Sequence, residues 1–389
     1  MSTAGVRQRE AVPFGRPRIV GHELDYIAQA VAAGELSGDR SFTARCHRWL
    51  EATCSSTRAF LTHSCTAALE MAAILTEVGP GDEVIMPSYT FVSTANAFTL
   101  RGATPVFVDV RADTLNLDEQ LVAAAVTERT RAIVPVHYAG VAAEMGALMK
   151  LADRHDLWVV EDAAQALLST FEDRALGGIG HLGCFSFHET KNVTSGEGGA
   201  LTVNDPRLVE RAEVVREKGT NRSQFFRGAT DKYTWVDVGS SYLPGELIAA
   251  FLYAQLERAN DITAERRAVV RRYEEAFAGL HADGRIALPG VRLSERGNGH
   301  MFYFLATDLA ARTGLLDHLR GCGVGAVFHY VPLHSSPAGE RYGRTGSAMP
   351  VTDAVADRLV RLPVYGGITE AEQERVVAAV LDYFARATP

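Results

Sequence analysis

A chain of 389 residues, 47% hydrophobic and 22% charged, holds enough material for two domains and a large buried core, which excludes disordered, collagen-like and coiled-coil proteins. Its 47 acidic against 39 basic side chains, a formal net charge of −8, argue against a dedicated nucleic-acid surface or a polybasic membrane surface. The five cysteines (Cys46, Cys54, Cys65, Cys184 and Cys322) form no CxxC pair, no apolar run reaches the roughly 18 residues of a membrane span, and no apolar signal segment opens the chain, so a reduced, cytoplasmic enzyme is expected.

Residues 1–12 are polar, lack periodicity and read as a mobile tail. A helix is predicted over 22–33, where Leu24, Ile27 and Val31 share one face and Gly34 follows as a stop. From Arg58 onward, β-rich runs at 59–62, 83–86, 105–109, 132–136, 157–161, 184–187 and 200–203 are predicted as strands. Helical segments at 66–78, 118–126 and 144–155 lie between them, with turn signals such as Gly79-Pro80-Gly81-Asp82. Apolar strands alternating with helices imply an α/β fold with a mainly parallel central sheet covered on both faces. After Gly245 the pattern changes to a long helix over 246–277, a strand at 301–305, a helix at 310–319, a strand at 325–330 and two terminal helices. A boundary near residue 250 therefore divides a large domain, 13–250, from a smaller C-terminal α+β domain, 251–389.

Ligands of α/β sheets bind at the carboxyl ends of strands, and four loops there hold chemistry. In Thr62-His63-Ser64-Cys65-Thr66, a strand passes into a helix whose free N–H groups, with two hydroxyls, can cradle a phosphate; the bland reading is a Ser64 N-cap. In Glu161-Asp162, two carboxylates leave an apolar strand, and one pointing inward needs a cationic partner; the alternative is a capping Asp162 with a solvated Glu161. Lys191 follows another apolar strand in a turn closed by Gly196, Gly198 and Gly199, where burial can lower its pKa and make it a Schiff-base amine rather than a solvated lysine. The Pro87–Phe91 loop offers an aromatic ring for stacking, or merely for the core. A GxGxxG match at 178–183 precedes a strand instead of joining strand to helix, so a dinucleotide site is not expected there. No HExxH, GxSxG or Walker sequence occurs.

SCTAALEM at 64–71, GDEVIMPSYTFVSTANA at 81–97, FVDV, PVHYAG, VVEDAAQ, FSFHETKN, GEGGAL, HYVPLH and the late RLPVY stand in a fixed order along the chain. In these marks the sequence resembles the fold-type I sugar aminotransferases of the DegT/DnrJ/EryC/StrS type, which use pyridoxal 5′-phosphate. It is most similar to the branch that aminates C4 of dTDP-4-keto-6-deoxyglucose, giving dTDP-4-amino-4,6-dideoxygalactose. The resemblance implies Lys191 as the Schiff-base lysine, Asp162 under the pyridine nitrogen, Gln165 at the ring hydroxyl and Phe91 on the ring face. It puts the phosphate on the Cys65 and Thr66 amides and Ser186. It also implies a homodimer with shared sites, in which a partner asparagine reaches the phosphate; Ser241 stands at that position here. The basic, aromatic loop 218–227, with Lys218, Arg222 and Arg227, is the candidate for the nucleotide diphosphate, or else a solvated loop. His329 and Tyr330 are candidates to meet the sugar or the amino donor, expected to be glutamate. Three other readings stay open: amination at C3 or of another sugar, a sugar dehydratase on the same fold, and a regulatory binding protein. The dehydratases exchange the lysine for histidine or add an iron–sulfur cysteine cluster, neither of which is seen here.

Overall fold

Strands that are apolar on both faces feed two cores at once, because successive side chains point to opposite sides of a sheet. The computed structural model describes residues 11–386. Its twelve strands are β1 (Arg58–Thr62), β2 (Glu83–Pro87), β3 (Thr104–Val108), β4 (Thr130–Ile133), β5 (Trp158–Asp162), β6 (Thr170–Phe171), β7 (Arg174–Ala175), β8 (Leu182–Ser186), β9 (Gly199–Val203), β10 (Phe302–Leu305), β11 (Arg344–Thr345) and β12 (Leu359–Leu362). Eight form the central sheet in the order β1-β9-β8-β5-β4-β2-β3-β11. All its pairings are parallel except those of β9, which runs antiparallel to both β1 and β8. Ala59, Leu61, Ile85, Ile133 and Val159 pack on one face with Phe42, Leu50, Met145 and Leu252 of the covering helices. Their neighbours Phe60, Val84, Met86, Ala132 and Val160 pack on the other with Leu69, Met71 and Phe98. The α/β expectation with a mainly parallel sheet is met.

A third core gathers Val269, Tyr273 and Phe277 of the helix Ala259–Ala282, Phe302 and Phe304 of β10, Val360 and Leu362 of β12, and Val376 and Val380 of the helix Glu370–Arg386. It also takes in Tyr89 and Tyr138, which follow β2 and β4, so it abuts one edge of the central sheet. Among the described residues, no helix is long and apolar enough to cross a membrane.

Several expectations need correction. The helix expected over 246–277 is two, Glu246–Glu257 and Ala259–Ala282, because Arg258 leaves helical geometry (φ −112°, ψ 12°) where the chain passes from the sheet's core to the third core. The strand expected at 325–330 makes only an isolated bridge, Val327 to Arg361. β12 occupies the place beside β10, and Gly325 is pressed against the N-terminal segment, where a Cβ would lie 2.6 Å from the Phe14 nitrogen. The helices Ser41–Cys54 and Val92–Thr99 were not anticipated, nor was a short one at Pro337–Tyr342 ahead of the two terminal helices. Residues 1–10, where most of the expected tail falls, lie outside the described residues. Val12 is buried and exchanges hydrogen bonds with Gly323 and Gly325.

Candidate active site

β1 and β8 are both antiparallel to β9 and therefore run the same way, so β1, β2, β5 and β8 deliver their carboxyl ends to one edge of the sheet. A cavity of about 810 Å³ opens there, bounded on its other side by residues of the third core and by residues 14–17. Each strand contributes a different group.

From β1 come Ser64, Cys65 and Thr66. Ser64 is extended (φ −164°) and its Oγ accepts the Ala67 amide at 3.0 Å, so the bland N-cap reading is correct as far as it goes. The cap leaves the Cys65 and Thr66 amides, which have no acceptor within a helix, at the cavity wall. Thr66 Oγ1 lies 2.7 Å from Ser93 Oγ, which lines the same cavity. The turn sits close on β9: a Cβ at Gly199 would be 2.3 Å from the Ser64 carbonyl carbon, so the third glycine of GEGGAL permits this approach.

β5 ends in both carboxylates, and both are buried, not one as the sequence suggested. Their fates differ. Glu161 accepts the amides of Gly177 (2.8 Å), Ile179 (2.7 Å) and Gly180 (2.6 Å) and His137 Nε2 (2.9 Å). Burial would raise its pKa, but the His137 bond and the loop amides outweigh burial and hold it below 4.5. The amides of the GxGxxG match thus bind a carboxylate of their own chain. Asp162 faces the cavity instead, accepting only from Thr94 Oγ1 (2.8 Å) and the Ala164 amide (3.2 Å). Burial raises its pKa above 3.8, these two donors oppose the rise, and no cation pairs with it among the described residues.

β8 leads to Ser186 and then, through a loop tied by Phe187 N to Gly198 O (2.8 Å), to Lys191; both line the cavity. Burial lowers the Lys191 pKa, Asp162 opposes this and Arg361 adds to it, so the amine has a larger uncharged fraction than a solvated lysine. Gln165 accepts the Ala139 amide at 2.7 Å and donates to Tyr330 Oη at 3.0 Å. His329 stacks on Tyr330 with ring centroids 3.6 Å apart, and its Nδ1 meets Tyr138 Oη at 2.7 Å. Phe91 lies at the mouth, 57% exposed.

The cavity thus gathers Cys65, Thr66, Phe91, Asp162, Gln165, Ser186, Lys191, His329 and Tyr330. Lys218, Arg222, Arg227 and Ser241 do not line it. Arg227 forms a two-pronged pair with Glu213 (2.9 and 2.7 Å), and exposed Ser241 bridges to Glu217. Sequence reasoning missed Thr94, Arg266, His300 and Arg361. Thr90, just ahead of the Val92–Thr99 helix, bonds Thr94 inside it (2.9 Å), a usable signal had that helix been recognised.

The sequence profile of the DegT/DnrJ/EryC1/StrS aminotransferase family matches residues 17–381. The chain belongs to this family. It is 33% identical over 377 residues to GDP-perosamine synthase of Caulobacter vibrioides, covering 95% of this chain and 97% of that one. Among solved structures, DesV of S. venezuelae is 32% identical with a TM-score of 0.86, covering 96% and 99% of the two chains. Spr1654 of Streptococcus pneumoniae, in its PLP-form, is 25% identical with a TM-score of 0.88, covering 97% and 100%. The fold is that of the fold-type I aminotransferases, and the family's cofactor is pyridoxal 5′-phosphate. The residues present fit that group: an unpaired buried carboxylate for a cationic ring nitrogen, a helix start for a phosphate, and an amine with lowered pKa.

Proposed function

We propose that this chain aminates a nucleotide-linked keto sugar, with dTDP-4-keto-6-deoxyglucose as acceptor, dTDP-4-amino-4,6-dideoxygalactose as product and glutamate as amino donor. The observation that carries the reading is that Lys191 and a buried Asp162, which forms no salt bridge among the described residues, line one cavity. Bound pyridoxal phosphate supplies an aldehyde that takes an amine and a ring that accepts the electrons left when the donor's Cα loses its proton. Lys191 would hold the cofactor through Nζ, and its amine would carry the proton from and to the donor's Cα, help worth roughly 10²–10⁴-fold. Asp162, oriented by Thr94, would pair with the ring nitrogen and keep it protonated. The Cys65 and Thr66 amides with Ser186 would hold the phosphate, Gln165 would meet the ring hydroxyl, and Phe91 would stack on the ring. His329 and Tyr330, rigidly stacked, wall the side where donor and sugar enter.

The cavity is completed in a homodimer, in which Ser241 and the 218–227 loop with Lys218, Arg222 and Arg227 reach the partner's site. Supporting this, Tyr233, Trp235 and Val236 beside that loop are 55%, 77% and 53% exposed, an apolar stretch suited to an interface. A regulator or dehydratase gains no support from a match to an aminotransferase family in a chain that has Lys191 in the cavity. The Caulobacter relative's name carries GDP, so the nucleotide is varied in the test. Purified protein is incubated with glutamate and a panel of dTDP- and GDP-linked 3-keto and 4-keto sugars, and the product amine is placed by NMR. Amination at C4 of the dTDP sugar is expected; amination at C3, or only of another sugar or nucleotide, overturns the assignment.

A further inference from the structure

Three imidazoles line the cavity among the described residues, and they present different groups to a ligand. His188 is partly exposed, with Nδ1 on Thr190 Oγ1 (2.9 Å) and Nε2 3.6 Å from Glu197. His300 is buried, and its Nδ1 lies 3.2 Å from Asn192 Oδ1. Asn192 Nδ2 donates to the Asn298 carbonyl at 2.9 Å, which makes Oδ1 the acceptor and puts the His300 proton on Nδ1. A lone pair on Nε2 is what His300 has left.

His329 is held the other way round. Its ring is fixed in plane by the stack on Tyr330 and in rotation by Tyr138, whose Oη lies 2.7 Å from Nδ1. Tyr138 is itself immobilised: it is buried, its amide donates to Asn116 Oδ1 at 2.8 Å, and its ring packs on Tyr89 and Tyr303 with centroids 5.5 and 5.6 Å away. Among the described residues His329 Nδ1 is the one hydrogen-bond partner of this phenol, and the neighbouring Tyr89 hydroxyl is buried with no partner. A proton on Nδ1 would therefore leave the Tyr138 O–H buried without an acceptor, which is costly. So the phenol donates, Nδ1 accepts, and the imidazole proton sits on Nε2. Burial, reinforced by the charges of Arg361 and Lys191, pushes the His329 pKa well below its usual range, and the ring stays neutral with that one proton. Nε2 is left without a hydrogen-bond partner among the described residues, on a ring that lines the cavity.

We propose that Tyr138 is a positioning residue that holds His329 as a neutral Nε2–H donor to an oxygen of the substrate, and so bars His329 from acting as a base. This rests on the amino-transfer reading above. Both substrates of that reading carry oxygens such a donor suits, the keto sugar in its carbonyl and hydroxyls and the amino donor in its carboxylates. An ammonium group, which has only protons to offer, is not met there. A ring protonated on the nitrogen that faces the ligand, with its other nitrogen already accepting a bond, has no lone pair for a proton, so proton transfer stays with Lys191.

Holoenzyme carrying nitrogen-15 in its imidazoles is observed by NMR without donor or sugar, the His329 signals being assigned by their loss in His329→Ala. The proposal expects a protonated Nε2 and an unprotonated, hydrogen-bonded Nδ1; a proton on Nδ1 overturns it, and this measurement stands even if no variant of Tyr138 folds. Tyr138→Phe keeps the ring and removes the hydroxyl. With the two half-reactions followed separately by stopped-flow absorbance, it should raise the half-saturating concentration of glutamate or of the keto sugar about three- to tenfold, and the half-reaction affected tells which of them meets Nε2. In a His329→Ala background the same substitution should change neither by more than about twofold, because Tyr138 acts through the imidazole. An equal effect in both backgrounds shows packing alone and overturns the proposal, as does no effect when His329 is present. Should no nucleotide sugar accept the amine, the proposed acceptor falls, while the NMR measurement, which uses neither substrate, still decides the role of Tyr138.

Discussion

Glu161→Gln tests whether the β5 terminus is held by charge-assisted bonds or by packing alone. Each carboxylate oxygen has two donors: Ile179 and Gly180 amides on Oε1, Gly177 amide and His137 Nε2 on Oε2. His137 Nδ1 accepts the Ala143 amide at 3.2 Å, which places the imidazole proton on Nε2, facing the carboxylate. A glutamine amide can replace one oxygen only, and its NH₂ then confronts two donors. Losing two bonds to a charged acceptor, at about 1.5–3 kcal/mol each, predicts a loss of about 3–6 kcal/mol, a large share of a typical folding free energy. Urea unfolding at fixed protein concentration measures it. The sign with pH follows from the direction of the shift. Glu161 titrates lower in the folded protein than its ordinary 4.5, so its contribution is complete above that value and disappears as pH falls through the folded-state pKa. The gap between wild type and variant should therefore be full at pH 7 and shrink in acid. A loss below about 1 kcal/mol at pH 7, or a gap that does not change in acid, would refute the argument.

Lys191→Ala should fold, retain the Ser64 turn and lose both turnover and the visible absorbance of bound cofactor; near-normal turnover would remove the lysine from the chemistry. Asp162→Asn should cut turnover by at least about a hundredfold, since a neutral partner does not hold the ring nitrogen's proton. The same variant should be more stable than wild type without cofactor. Burial raises the Asp162 pKa above 3.8, so wild-type stability drops as pH rises through that window and the asparagine variant escapes the drop; equal urea midpoints at pH 7 would contradict it. Ser64→Ala should cost about 1 kcal/mol through the lost cap and also weaken cofactor binding, read by equilibrium dialysis. An unchanged affinity would show that the turn does not carry the phosphate.

The central sheet was legible in the sequence because each strand is apolar throughout and bounded by turn residues, a pattern that tertiary contacts reinforce. What was not legible follows from packing. The 325–330 run has strand-like residues, but its pairing depended on whether β10 would take β12 instead, a choice made between segments far apart in the chain. The helix break at Arg258 likewise reflects a change of packing partner, not a proline or glycine. At the site, Lys191 and Asp162 were found because each follows an apolar strand. Arg361 was not, although RLPVY was noticed, because an arginine in a short amphipathic run reads as solvated. Its burial at the cavity comes from the pairing of β12 with β10, which only three dimensions show. The two carboxylates of β5 make the same point, since adjacent residues of identical charge type take opposite tasks, one clamped by loop amides and the other turned to the cavity.

The chain has four lysines, Lys150, Lys191, Lys218 and Lys232, so the claim that this cavity is the cofactor's site can be tested without substrate. Purified protein loaded with pyridoxal phosphate is reduced with borohydride, digested and mapped by mass spectrometry. The account predicts a single modified peptide, with the pyridoxyl group on Lys191 and its loss in Lys191→Ala. Modification of Lys150, Lys218 or Lys232 in its place, or no stoichiometric labelling of Lys191, would contradict it.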